Sequence, residues 1–204
     1  MAAMLACGVL VGCRGHGEAQ VVGLQGVVHG VAGHATRHAG PWCDRVPPST
    51  GSGVPDVLVR VVDGPGGSST ATAEVALRDC QFQPRVVVVE PGQPLRVHDD
   101  DPILHVLTPG QRALVPHASH VEIMLPTADE PQRLGCALHP WESAWAWVRP
   151  SLWAVVSDAQ GRFALPSLPS GRWQLEIWHE ENGRVRQTRQ AVTSPSEIEV
   201  RLPE

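Results

Sequence analysis

Short runs of apolar residues, alternating with polar ones or continuous, recur from residue 21 to the end of the chain, separated by turn-forming residues. Alternation with a period of two is typical of β-strands, and no segment keeps the 3.6-residue apolar period of a helix. The predicted strands span residues 21–31, 57–62, 74–82, 85–90, 95–98, 103–107, 121–125, 145–149, 152–157, 162–165, 173–179, 185–192 and 198–202. The continuous run 86–89 predicts a strand buried on both faces. This spacing predicts an all-β fold of β-sandwiches.

Composition supports this fold class and narrows the function. The chain has 204 residues, of which 42% are hydrophobic and 18% charged, so it has enough apolar material to bury a core. Its 20 Gly and 19 Pro residues argue against a helical bundle, because both disfavour helix interiors. The net charge is −5 and the isoelectric point is near 6.0, so no nucleic-acid partner is indicated.

The amino-terminal residues 1–12 are almost entirely apolar, but this run is too short to span a bilayer as a helix. It suits the apolar region of a signal peptide, although the usual positive residues are absent. Leu10-Val11-Gly12-Cys13 resembles a bacterial lipobox, in which the Cys is lipidated; the alternative is an uncleaved tail with a chance Cys. We therefore expect an exported periplasmic or outer-membrane lipoprotein of a Gram-negative bacterium, attached to the membrane only through lipid on Cys13.

Three side chains between residues 98 and 142 have the chemistry of a metal site. Cys136 and His139 form a Cys-x-x-His, so both can turn toward one ion from a single loop. His105 lies upstream, in a strand that a sandwich would bring alongside. One thiolate and two imidazoles are the trigonal ligand set of a blue-copper site. The alternative is a shell that has lost its metal, with Cys136 as a buried structural thiol.

The five cysteines are Cys7, Cys13, Cys43, Cys80 and Cys136. If signal cleavage removes Cys7, lipid takes Cys13 and metal takes Cys136, then Cys43 and Cys80 remain to form a disulfide in an oxidising compartment. Such a bond closing a long loop would stabilise the fold by roughly 2–4 kcal/mol. The alternative is three unrelated buried thiols.

Further residues extend the pattern around the proposed ligands. They are Cys80-Gln81-Phe82-Gln83-Pro84, the run 86–89, Pro91-Gly92, Asp101 before His105, and Pro140-Trp141 after His139. Over residues 74–149 the chain thereby resembles the cupredoxin family, most closely the amicyanin-type and methylamine-utilisation-like exported proteins. The resemblance implies a Greek-key β-sandwich, copper at His105, Cys136 and His139, and an axial ligand three residues after the second His.

The axial place departs from the family pattern, because Glu142 stands where the relatives have Met. The Asn that often follows the first His is also replaced, by Val106. A carboxylate is a harder ligand than a thioether, so it favours Cu(II), lowers the reduction potential and also suits zinc. Without a metal, a buried Glu142 would be costly, so we expect it to face solvent or meet an Arg such as Arg149.

The flanks of this region suggest a second module. Segment 158–165 contains Asp-x-x-Gly-x-Phe, and segment 168–175 contains a Pro-x-Gly-x-aromatic turn. These motifs resemble the carboxypeptidase regulatory-like domain, a transthyretin-like β-sandwich, and segment 26–31 resembles its opening strand. The expected organisation is a leader at 1–20, first strands at 21–70, the cupredoxin-like domain at 71–150 and the second sandwich at 151–204. If 21–70 belongs to the second sandwich, that sandwich is discontinuous.

The remaining histidine, aspartate and tryptophan residues are interpreted as structural or surface residues. His29, His34 and His38 are read as a solvated segment rather than a surface metal site, and His117 and His120 as surface residues. His179, in Trp-His-Glu, is read as structural rather than as a ligand. Residues 99–101 are read as a solvated turn in which one Asp holds the loop before His105. Trp145 and Trp147 share strand parity and are read as core, and Trp141 as core or docking face.

Two classes of function follow from these patterns. The favoured one is an exported cupredoxin-like protein that binds copper and passes single electrons to a redox protein partner, or simply holds the metal. The alternative is a structural or binding module of the cell envelope with a degenerate copper site. An enzyme is not expected, because no catalytic triad, paired carboxylates or cofactor loop stands out.

Overall fold

The computed structural model describes residues 21–30, 52–62, 64, 68–108, 113–150, 153–181, 184–194 and 196–202. Its strands are β1 (Val21–His29), β2 (Leu58–Val62), β3 (Ala73–Arg78), β4 (Gln81–Gln83), β5 (Val86–Val89), β6 (Leu95–Asp99), β7 (His105–Thr108), β8 (Leu114–Val115), β9 (Ser119–Ile123), β10 (Gln132–Cys136), β11 (Ser143–Val148), β12 (Ala154–Val156), β13 (Arg162–Pro169), β14 (Gly171–Glu181), β15 (Arg184–Ser194) and β16 (Ser196–Arg201). The all-β prediction is confirmed. Within these ranges, no helix has the length and apolar character needed to cross a membrane.

Strands β3 to β11 form one sandwich, which we call the inserted sandwich because it lies between β2 and β12 in the chain. Its sheets have the orders β5-β11-β10-β7-β8 and β4-β3-β6-β9. The pairs β3 with β6 and β5 with β11 are parallel, whereas the other neighbours are antiparallel. Its core consists of Val75, Leu77, Phe82, Val87, Val89, Leu95, Val97, Leu107, Val115, Leu134, Ala144, Ala146 and Val148.

Strands β1, β2 and β12 to β16 form the flanking sandwich. Its sheets have the orders β13-β1-β16 and β12-β2-β14-β15, with β1 parallel to β16. Strands from both ends of the sequence therefore share one core, which consists of Leu24, Val28, Val54, Val57, Val59, Val61, Phe163, Leu165, Leu168, Leu175, Ile177 and Val200.

The Asp-x-x-Gly motif shapes the turn before β13. The Asp158 Oδ1 atom accepts hydrogen bonds from the backbone N–H groups of Gln160 and Arg162, both at 2.9 Å. Gly161 has a φ of 76°, and a Cβ atom there would lie 2.5 Å from the Val28 carbonyl oxygen. Only glycine allows this backbone conformation together with such a close approach to β1.

The two sandwiches meet through an apolar contact. Leu58 and Trp178 of the flanking sandwich pack against Val86 and Trp147 of the inserted one. The flanking sandwich covers the outer face of β5. The prediction that run 86–89 is buried on both faces is therefore confirmed, with Val88 only partly buried. The Trp147 ring also lies under the Arg60 guanidinium, whose carbon is 5.0 Å from the ring centroid.

Two details of the strand prediction were wrong. The predicted strand 74–82 is divided into β3 and β4, because Asp79 and Cys80 have φ values of 53° and 58° and reverse the chain. Strands β8 and β10 were missed: β8 has two residues, and the apolar alternation of β10 is interrupted by Gly135. The second omission matters because Cys136 ends β10.

Candidate metal centre

Two neighbouring strands and one loop bring the predicted ligands together. His105 is the first residue of β7 and Cys136 the last of β10, and these strands pair with Cys136 opposite Leu107. His139 and Glu142 lie in the connection to β11. This connection is a tight turn, since the Glu142 N–H donates to the His139 carbonyl at 3.0 Å.

The ligating atoms of His105, Cys136, His139 and Glu142 all lie within 4.8 Å of one another. The Glu142 Oε2 atom is 2.9 Å from His105 Nδ1 and 3.3 Å from His139 Nδ1. The Cys136 Sγ atom is 3.5 Å from His139 Nδ1. The structure therefore brings together all four residues that the sequence singled out.

These side chains differ in burial, and the His139 ring forms the exposed edge of the cluster. The side chains of His105 and Glu142 are 0% exposed, whereas that of His139 is 19% exposed. Burial opposes a charge on the His105 imidazole, but hydrogen bonds to Cys136 and Glu142 and the negative charges of Glu142 and Asp99 outweigh it and raise its pKa to about 10. These groups thus favour positive charge at the centre of the site.

The thiol of Cys136 is free and buried, and it accepts a hydrogen bond from the Val106 backbone N–H at 3.4 Å. Because the donor is a backbone N–H group, this contact does not depend on the side chain of Val106. Cys80 is disulfide-bonded, and a bond from Cys80 to Cys136 is excluded because Cys136 is free. The predicted partner, Cys43, lies outside the described residues, so the Cys43–Cys80 pairing stays a prediction.

Two carboxylates lie behind His105, of which the sequence analysis named Asp101 but missed Asp99. The His105 Nε2 atom lies 3.7 Å from Asp99 Oδ1 and 3.7 Å from Asp101 Oδ2. Asp99 and Asp101 are buried, so the interpretation of 99–101 as a solvated turn was wrong for both. The parity of Asp99 with Leu95 and Val97 along β6 was the signal that could have revealed its inward direction.

These two carboxylates have different structural tasks. Asp101 accepts hydrogen bonds from the backbone N–H groups of Asp79 and Cys80, at 2.8 and 2.9 Å, and so holds the turn between β3 and β4. Asp99 Oδ1 accepts from the Asp101 N–H, while its Oδ2 is buried without a hydrogen-bond partner. Asp99 therefore places a carboxylate with one unpartnered oxygen next to His105, and burial raises the pKa of this carboxyl group.

The donor set fits a copper ion. A thiol sulfur, two imidazole nitrogens and a carboxylate oxygen lie within 4.8 Å of one another, and two carboxylates lie near the far nitrogen of His105. A carboxylate that accepts a hydrogen bond from the second ring nitrogen orients a metal-binding imidazole, and Asp99 and Asp101 lie just beyond that distance, 3.7 Å from His105 Nε2. Glu142 Oε1 and His105 Nε2 are buried without a hydrogen-bond partner. Buried polar atoms are normally hydrogen-bonded, so this pattern is expected where a ligand binds.

The structure also tests the predicted surroundings of Glu142 and the predicted positions of histidines outside the cluster. Glu142 neither faces solvent nor meets Arg149, whose guanidinium pairs with Asp129 at 2.8 Å. His179 lies on β14 of the flanking sandwich and is not among the four clustered ligands. His117 and His120 are exposed, as expected. Cys13, His34 and His38 lie outside the described residues.

The tryptophans are divided between the site and the contact between sandwiches. Trp145 and Trp147 face the flanking sandwich, where the Trp145 and Trp178 rings lie 5.5 Å apart. The Trp141 ring lies 5.4 Å from the His139 ring, at the exposed edge of the metal centre.

Comparison with known proteins gives partial likenesses in structure. No protein-family model and no curated protein sequence matches the chain. An oxidised single-residue variant of amicyanin is similar at 9% identity and a TM-score of 0.35, over 45% of this chain and 98% of that one. A copper-containing nitrite reductase from Thermus scotoductus is similar at 15% identity and a TM-score of 0.33, over 44% of this chain and 25% of the reductase. Likenesses at this level carry no conclusion about function.

Proposed function

We propose that the inserted sandwich is a cupredoxin-like module that binds one copper ion and exchanges single electrons with a partner protein. The observation that carries this proposal is the convergence of the His105, Cys136, His139 and Glu142 ligating atoms within 4.8 Å. Copper bound there would supply a one-electron couple between Cu(II) and Cu(I), because thiolate suits Cu(I) and imidazole binds both states.

The chain holds these ligands rigidly, which favours electron transfer. His105 and Cys136 belong to strands joined by backbone hydrogen bonds, and the Ala137 N–H donates to the Val106 carbonyl at 2.7 Å just beyond that ladder. A cage with fixed donor positions changes little between oxidation states, so little reorganisation accompanies the gain or loss of an electron.

Access to the centre supports exchange through His139. Its ring is the exposed edge of the cluster, and Leu104 and Leu138, next in sequence to the ligand segments, are 46% and 51% exposed. Exposed leucines at this place favour a transient contact with the apolar surface of another protein. We propose that a redox partner docks there, with His139 at the centre of the contact.

Glu142 sets the expected properties of the copper. Its carboxylate is fully buried and within hydrogen-bond distance of both imidazoles, so it would hold a bound copper ion as a hard oxygen donor. A negative oxygen donor stabilises Cu(II) over Cu(I), and we therefore expect a low reduction potential.

A structural module without metal is the alternative, and one observation favours it. The Glu142 Oε2 atom contacts both imidazoles, so the cluster has internal hydrogen bonds in the absence of an ion. Protonation of one imidazole would give the buried carboxylate a partner of opposite charge, which offsets part of the cost of burying it.

Copper titration of the purified chain, followed by visible and electron paramagnetic resonance spectra, distinguishes the two. We expect one equivalent of Cu(II) at this centre, marked by a thiolate-to-copper band that Cys136→Ser abolishes. Glu142→Met should raise the reduction potential and strengthen the blue band, because a thioether replaces the carboxylate. If wild type binds no more copper than Cys136→Ser, electron transfer is wrong and the structural module stands.

We also propose export with a lipid on Cys13 and a Cys43–Cys80 disulfide, as the sequence predicts. Intact-mass measurement of protein from membranes, before and after thiol alkylation, tests both. The chain is not proposed to be an enzyme, although one of the two compared proteins is a reductase. The likeness of the flanking sandwich to the carboxypeptidase regulatory-like domain rests on its sequence motifs.

A further inference from the structure

A pair of histidines lies on the outer face of the β4-β3-β6-β9 sheet, away from the buried centre. His98 on β6 is directly opposite His120 on β9 in the antiparallel register. Their ring centroids are 5.5 Å apart, and the rings are tilted by 39°. Because side chains alternate along a strand, these rings point outward while Val97 and Asp99 point inward.

The backbone fixes the two rings as neighbours. Directly opposed residues on antiparallel strands have Cβ atoms roughly 4.5–5.5 Å apart. Two imidazoles at that spacing reach a common ion by side-chain rotation alone, since a metal–nitrogen bond of about 2.0–2.1 Å on each side fills the gap. The strand register therefore places the two imidazoles where both can bind one ion.

The charges around the pair favour a cation. Glu74 Oε2 lies 3.6 Å from His98 Nε2, and its other oxygen accepts from Arg96 at 3.1 Å. Arg96 also pairs with Glu122 at 2.9 Å, so this patch has two carboxylates against one guanidinium. A donor set of two imidazoles, with a carboxylate nearby and no thiolate, suits Cu(II) more than Cu(I).

We propose that His98 and His120 form a second, exposed site for a divalent transition metal, with Cu(II) bound most tightly and the Glu74 carboxylate beside His98 adding negative charge. Among first-row divalent ions, Cu(II) has the highest affinity for such nitrogen and oxygen donors. The site differs from the buried centre in being open to solvent and in lacking sulfur. It stands independently of the proposed electron transfer.

The test is Cu(II) titration of the full chain by calorimetry, in a background of Cys136→Ser and His139→Ala that removes two donors of the buried centre. His98→Ala and His120→Ala should each weaken Cu(II) binding by at least about tenfold, because the second imidazole of a chelate binds intramolecularly. Both changes should also remove one nitrogen from the electron paramagnetic resonance spectrum. The matched control is His29→Ala, which removes a histidine from the flanking sandwich.

Circular dichroism melting of every variant confirms that binding is compared between folded proteins. If His98→Ala and His120→Ala bind Cu(II) with the affinity and stoichiometry of their background, the proposal is wrong. If wild type lacks a thiolate-to-copper band but loses a bound Cu(II) on His120→Ala, electron transfer fails while this site stands. The reverse result overturns this site and leaves the buried centre.

Discussion

The two sandwiches differ in how their buried hydroxyl, carboxylate and imidazole groups are hydrogen-bonded. In the flanking sandwich, Ser157 Oγ accepts from the Val57 N–H and donates to the Val54 carbonyl, both at 2.9 Å, and buried Glu176 is paired with Arg60. In the inserted sandwich, Asp99 Oδ2, His105 Nε2 and Glu142 Oε1 are buried without a hydrogen-bond partner. Within the described ranges, these are the buried carboxylate and imidazole atoms in that condition.

This difference distinguishes buried polar groups that stabilise the fold from those that are available to bind a ligand. A buried group that is fully hydrogen-bonded stabilises the fold and needs nothing else, whereas unpartnered groups cost stability unless a ligand compensates them. The flanking sandwich therefore has the character of a support. The end of the inserted sandwich at His105 has the character of a binding site.

The largest expected effect lies where the two sandwiches meet. Trp147→Ala empties the contact with Leu58 and Trp178 and should lower the free energy of unfolding by about 3–5 kcal/mol. Guanidinium unfolding followed by circular dichroism measures it. Trp173→Ala, at a partly exposed ring of the flanking sandwich, is the control with a smaller loss. Equal losses in the two variants would contradict a tight contact between the sandwiches.

The second largest effect is expected on copper affinity, in a variant of Asp99. Asp99→Asn keeps an acceptor for the Asp101 N–H but removes the negative charge behind His105, so copper affinity should fall by about 10–100-fold. Competitive titration with a copper chelator measures the change. Unchanged affinity in Asp99→Asn would show that the carboxylate does not act on the metal ligand.

Ser157→Ala tests the flanking sandwich in the opposite sense. It leaves the buried Val57 N–H without its acceptor, which should cost about 1–3 kcal/mol of stability. Copper affinity should not change, because Ser157 contacts none of the four ligands. Thermal melting and copper titration on the same sample check both parts, and a loss of copper binding would count against the division of roles between the sandwiches.

The smallest effect is expected at Asp100, which follows Asp99 in sequence but is exposed and paired with Arg78 at 2.6 Å. Asp100→Asn should change stability by less than about 1 kcal/mol, because exposed ion pairs contribute little. It should leave copper affinity as in wild type, which makes it the matched control for Asp99→Asn. A tenfold loss here would mean that distant charge, and not the carboxylate beside His105, governs the site.

The metal candidates could be predicted from the sequence because their spacing is local. Cys136 and His139 are three residues apart, so any loop places them near each other. His105 required a further assumption, that a sandwich brings its strand beside β10, and the β7–β10 pairing supplies that contact. Asp99 was not recognised, because a run of three Asp residues has the composition of a surface turn, and only its parity with Leu95 and Val97 indicates that its side chain points inward.

The sequence by itself determined the all-β class, most strand positions and the residue types of the candidate site, since these follow from apolar alternation and short-range spacing. Only the tertiary structure decided that strands from both ends of the chain share one core, that Trp147 joins the sandwiches, and that Glu142 lies between two imidazoles. These features depend on pairings between residues far apart in the chain. Local composition does not encode such pairings, because many partners of equal hydrophobicity compete for each strand.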